Sequence, residues 1–167
     1  MIAWALWLLV TPLLVVVDGF LLETMPFRVD LCAAVATFLA LFARSRPLPA
    51  LILALALARA VLSGGGLAAQ YLALALPIAL VRPLRAVLDE RSVLVQSAVA
   101  PLMAYAVPRG LELFARLSGQ PIDVLPADTG SIVAALLLMP FVVHLLGALT
   151  PLRVFSTRAR RRSRGDA

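Results

Sequence analysis

Six long apolar runs, at about 2–17, 29–43, 47–63, 66–81, 93–108 and 129–150, account for most of the chain and decide what it can become. A hydrocarbon layer about 30 Å thick needs roughly 20 apolar residues per crossing helix, somewhat fewer where flanking side chains snorkel. The runs meet or approach that length, and the sequence between them is too short to wrap a water-soluble core. Hydrophobic residues make up 62% of the chain and the mean hydropathy is +1.00. Soluble domains typically reach only about 45–50% apolar residues. The expectation is an all-α integral membrane protein of about six transmembrane helices, with the second and third short. Residues 31–43 and 47–58 form either two thin, tilted helices or a re-entrant hairpin buried by its neighbours. The first run lacks a basic segment before it and reads as a retained span rather than a cleaved signal.

Arginine distribution sets the expected orientation. All 15 basic residues are Arg. With both termini in the cytoplasm, the inner side receives Arg44, Arg46, Arg82, Arg85, Arg91, Arg153, Arg158, Arg160, Arg161, Arg162 and Arg164. The outer side receives Arg28, Arg109 and Arg116 together with Asp18, Glu23, Asp30, Glu112, Asp123 and Asp128. This asymmetry follows the positive-inside rule. It also makes the pI near 11.2 a matter of topology rather than nucleic-acid binding. The chain divides into a membrane domain, 1–152, and a basic cytoplasmic tail, 153–167, whose Arg158, Arg160, Arg161, Arg162 and Arg164 face anionic lipid.

Two irregular features fall in "LALARAVLSGGGLAAQYLAL", residues 55–74. Arg59 lies roughly 18 Å into the layer when counted from Pro47, in its outer half. A cation at the centre of a bilayer costs about 2.5–3.5 kcal/mol on insertion scales, so a partner is expected. Three readings stand for Arg59: a snorkelling residue, a structural ion pair, or a contact for substrate or partner. The outer ends of the first and second spans offer Asp18 and Asp30, and Asp30 is the favoured partner because the second and third spans are consecutive and expected to lie side by side. The glycines of the "SGGG" turn supply positive φ or close helix approach.

Catalytic constellations are missing from the sequence. His144 is the single histidine and Cys32 the single cysteine, which removes the multi-ligand patterns of a zinc site and any internal disulfide. Asp89 and Glu90 sit among arginines, and Ser63 has no base on its side of the membrane. Neither a cofactor nor a metal is expected. Pro12, Pro77, Pro101 and Pro140 fall inside spans, where each removes a backbone hydrogen bond. After Pro108, Leu111, Phe114 and Leu117 can share one helical face while Arg109, Glu112 and Arg116 share another, as in a helix lying along the outer interface. These three charged residues form a candidate outer interface.

The layout resembles the MreD family of rod shape-determining proteins. "FRVDLCAAVATFLALFARSRP" places Arg28, Asp30 and Leu31 at the opening of the second span, and "SGGGLAAQYLALAL" places Ser63, Gly66, Leu67 and Tyr71 at the opening of the fourth. The detailed likeness covers residues 28–85, and the chain departs from the family pattern at Arg59 and Ala60, where an acid is common. The resemblance implies a non-enzymatic scaffold of the bacterial cell-wall elongation machinery in the inner membrane. Its implied partners are an MreC-like bitopic protein and peptidoglycan-synthesis enzymes. It also implies a fold similar to the S component of energy-coupling-factor transporters, which makes a small-molecule-binding transporter subunit the alternative function.

Overall fold

The structure is a computed structural model and describes residues 2–24, 30–63, 66–86 and 92–119, with isolated helical residues at 132–133, 135–137 and 145. The described chain is all-helical: α1 (Ile2–Thr24), α2 (Leu31–Phe42), α3 (Leu48–Leu62), α4 (Leu67–Val81), a short 3-10 segment (Arg82–Ala86) and α5 (Val93–Ser118). Five of the six expected segments are therefore helices, α2 to α4 within two residues of their expected bounds, while α1 and α5 run past their expected ends at 17 and 108. Most of the sixth, the basic tail, His144, Pro140, Asp89, Glu90, Asp123, Asp128 and Arg28 lie outside the described residues. Two stretches, Ala3–Leu21 and Leu67–Leu84, are long and apolar enough to cross a membrane.

The helices alternate in direction, so two ends of the bundle can be distinguished. One end carries the last turn of α1, the start of α2, the end of α3 at Ser63 and the last turns of α5. The other carries the turn at Arg44–Pro47, the start of α3 and the 3-10 segment, where the Arg82 guanidinium donates to Ser45 Oγ at 2.8 Å. Helix α4 packs most extensively on α5 and then on α3, while α1 packs on α3 and α2. Consecutive α2 and α3 are not among the substantially packed pairs, which corrects the expectation that they lie side by side. With α1 touching both and α4 also touching both, these two helices fill the space between them.

Helix α2 is the centre of the molecule. Every residue from Cys32 to Phe42 is buried, and the 12-residue helix is only about 18 Å long. It is neither a thin span facing lipid nor a surface helix, but a short rod enclosed by its neighbours. Cys32, Ala33, Ala34, Ala36 and Ala40 keep its girth small, letting α1, α4 and α5 approach closely. Phe38 and Phe42 supply its bulk, with ring centroids 5.3 Å apart at 39°. Leu55 of α3, Leu74 and Ile78 of α4 and Met103 and Val107 of α5 complete the same core, each at most 1% exposed. In α1 the buried face is Trp7, Thr11, Val15 and Asp18, spaced at about one helical turn, whereas Leu8, Leu9, Leu13, Val16 and Phe20 are exposed.

Two expectations about irregular backbone change. Gly66 caps α4 with φ −71° and ψ 139°, an extended conformation open to any residue, and nothing lies within 4 Å of where its Cβ would stand. Gly64 and Gly65 lie outside the described residues. Close helix approach occurs instead at Gly110 of α5, where an added Cβ would sit 3.3 Å from Ala73 Cα and 3.4 Å from its Cβ. The second change concerns α5. It continues unbroken through Pro101 and Pro108 for 26 residues, about 39 Å, so the stretch after Pro108 is not a separate interfacial helix. Its buried stripe there is Val107, Leu111 and Ala115, while Leu117 is 75% exposed. Packing against α4 at Gly110 holds the stretch in line with the bundle.

Gly110 gives a direct test of that packing. Exchange to Ala gains up to about 1 kcal/mol of helix propensity and pushes a methyl against Ala73, two effects of similar size and opposite sign. Exchange to Leu leaves no such balance. Gly110→Leu should lower stability in detergent by about 1–3 kcal/mol, measured as a fall in the unfolding midpoint. An unchanged midpoint would mean that α4 and α5 are not in contact there.

Candidate functional site: a charged clasp at the Ser63 end

The polar chemistry of the described chain gathers where α1, α2 and α3 meet. Asp30 is the N-cap of α2: its φ of −83° and ψ of 96° turn the chain into the helix, and its Oδ1 accepts from Ala33 N–H at 2.7 Å. Such a cap satisfies one of the donors a helix start leaves open. A second is satisfied from another helix. Asp18 of α1, only 7% exposed, accepts from the Leu31 N–H through Oδ1 at 2.5 Å. Two carboxylates therefore hold the start of α2, one from its own chain end and one from α1, at the positive pole of its helix dipole.

Cys32 joins this pair. One ligand atom from each of Asp18, Asp30 and Cys32 lies within 4.8 Å of the others, which sets the Cys32 thiol beside the Asp18 carboxylate. Arg59, in the last turn of α3, faces the same group and interacts electrostatically with both Asp18 and Cys32. A cation there also suits the negative pole of its own helix. The expected ion pair between Arg59 and Asp30 is not formed in the structure. Among the described residues the ion pairs are those of Glu112, and none joins Arg59 to Asp30 within 4.0 Å. Arg59 Nη1 is buried without a hydrogen-bond partner. Asp18, which the sequence offers to Arg59 alongside the favoured Asp30, is the most deeply buried acid in the described chain. It was assigned to the end of the first span, whereas α1 continues to Thr24 and carries Asp18 inside the helix, one turn below Val15 on the buried face.

Both carboxylates accept from backbone N–H groups at the start of α2, which ties α1 to α2 and caps the helix. Ser63 is exposed at the C-cap of α3. The three-residue set of Asp18, Asp30 and Cys32 has the spacing of a cation site, but the Arg59 guanidinium beside it opposes a bound metal.

The other candidate surface lies on α5. Arg109 and Arg116 both bond Glu112, at 2.8 Å and 2.5 Å, and the Arg109 guanidinium stands 5.5 Å from the centre of the Tyr105 ring. Hydrogen bonding from Arg109 and then Arg116 holds the Glu112 carboxyl below its ordinary value of 4.5, and Arg109 is correspondingly raised by Glu112. Because the folded value is the lower one, this ladder contributes above the ordinary glutamate range and is lost as pH falls through the depressed value. An NMR titration of Glu112 should give a midpoint below 4.5, and Arg109→Ala should return it upward; an ordinary midpoint in the parent protein would contradict the ladder. The three residues are joined through Glu112 on α5, a helix that belongs to the bundle.

One further concavity, of about 500 Å³, lies between α3 and α4 toward the Ser45 end. Its walls are apolar apart from Tyr71 and Arg82. In comparisons with known proteins, no family model, curated protein or solved structure matches the chain.

Proposed function

We propose that the chain is a non-catalytic membrane scaffold of the MreD type, a subunit of the cell-wall elongation machinery in the bacterial inner membrane that holds an MreC-like bitopic partner. The observation that carries this reading is α1. One face of it, through Trp7, Thr11, Val15 and Asp18, is locked into the bundle, while the opposite face, with Leu9, Leu13, Val16 and Phe20, is apolar and exposed along a helix long enough to cross a bilayer. In lipid such a face suits a single transmembrane helix from a partner. The clasp adds support, since the Asp18 carboxylate ties α1 to the start of α2 and the Asp30 carboxylate caps that helix. The same commitment weighs against the S-component reading, which needs polar groups turned toward a ligand, and the concavity that is present has apolar walls.

Affinity purification of the full chain from native membranes separates the two. A co-purifying single-span protein with a large domain outside the membrane, together with peptidoglycan-synthesis enzymes, is the expected result. Recovery of an ATP-driven transport module instead would overturn the proposal.

A further inference from the structure

The groove between α3 and α4 is shaped for something more specific than bulk lipid. Leu48, Pro49 and Ile52 form one wall, and Tyr71, Ala75, Ile78 and Ala79 form the other. Arg82 closes it at the Ser45 end. From Tyr71 to Arg82 is eleven residues, about 16 Å of helix, which is close to half of a hydrocarbon layer of about 30 Å. The groove thus spans one leaflet and no more.

Among the described residues its two ends differ in charge. Around the closed end stand Arg82 and the exposed Arg44 and Arg46, with Ser45 between them. The described acids, Asp18, Glu23, Asp30 and Glu112, are at the opposite end, while Asp89 and Glu90 lie outside the described residues. An arginine fork also matches phosphate geometry. We propose that this groove holds one anionic phospholipid of the inner leaflet, its phosphate at Arg82 and Ser45 and one acyl chain along Ile52, Ala75 and Tyr71. The site rests on the membrane reading above, and differs from the lipid contact expected of the basic tail in having apolar walls. Bound there, the lipid ties α3 to α4 on the side away from the clasp, so that both ends of α3 are fastened.

The test begins with carbonate extraction of native membranes, because a chain released into the soluble fraction would refute the membrane reading and the lipid site with it. Full-length protein that stays in the membrane is then purified in detergent and examined by native mass spectrometry with phosphatidylglycerol or phosphatidylcholine. One retained phosphatidylglycerol is expected, with about tenfold weaker retention of phosphatidylcholine, equivalent to about 1.4 kcal/mol. Ala79→Trp fills the groove from an exposed position that the core does not need, and Arg82→Gln removes the charge; each should reduce phosphatidylglycerol retention by about tenfold. Leu80→Trp, on the same helix but outside the groove, should leave it unchanged. Undiminished retention in Ala79→Trp, equal retention of both lipids, or displacement by inorganic phosphate would each overturn the proposal while leaving the membrane assignment intact.

Discussion

Asp18→Ala should lower stability in detergent by about 3 kcal/mol, a fall of roughly 10 °C in unfolding midpoint at the 2–4 °C per kcal/mol usual for a chain of this size. The residue does two jobs at once. Its carboxylate satisfies the first open N–H of α2, and a bond to a charged acceptor contributes about 1.5–3 kcal/mol. It also provides counter-charge to Arg59, whose Nη1 is already without a hydrogen-bond partner. Removing an opposite charge near Arg59 adds less than the roughly 3–5 kcal/mol of breaking a direct buried pair, because no ion pair within 4.0 Å joins it to Asp18 and Arg59 is partly exposed. Asp18→Asn separates the two jobs, since the amide oxygen still accepts from Leu31 while the charge is gone. Combining either change with Arg59→Met should recover part of the loss, and the recovery should exceed that seen with Asp30→Ala. Additive losses in the Asp18 pair would show that Arg59 is held by something else.

The second large effect is expected at the centre of α2. Phe38→Ala should cost about 3 kcal/mol, within the range for truncating a buried Phe. Phe38 is 2% exposed and stacks on Phe42, so the vacated volume is lined by protein on every side. If α2 instead faced lipid, acyl chains would fill the gap and the loss would stay below about 1 kcal/mol. An unfolding midpoint in detergent distinguishes the two, and a small shift would contradict the enclosed position of α2.

These two residues also mark where reading the sequence succeeds and where it stops. Helix positions were legible because apolar runs bounded by charge or proline leave few other solutions; Leu31–Phe42 and Leu48–Leu62 fall inside the expected 29–43 and 47–63. Which helix touches which was not. In a chain this apolar, a face against lipid and a face against protein carry the same residues, so periodicity does not report neighbours. The signal that α2 is enclosed was there in its run of Cys and Ala, the small residues that helices use to approach one another. Likewise the depth of Arg59 pointed to a carboxylate near the Ser63 end, and sequence adjacency pointed to Asp30. The packing of α1 on α3 and the bond from Leu31 to Asp18 place the other offered acid, Asp18, on the buried side, an arrangement no local pattern encodes. The continuation of α5 past Pro108 depended on Gly110 meeting Ala73, again a tertiary fact.

The account stands on a bundle embedded in the membrane with the Ser63 end outside and the Ser45 end inside, and labelling of introduced cysteines in intact cells tests this most directly. Cys32 is 1% exposed and should not react, which makes the parent protein its own control. Ser63 and Ser45 are both exposed and lie at opposite ends. With a membrane-impermeant maleimide, Ser63→Cys should label in intact cells and Ser45→Cys only after the membrane is opened. Labelling of Ser45→Cys in intact cells, or protection of Ser63→Cys there, would contradict the account.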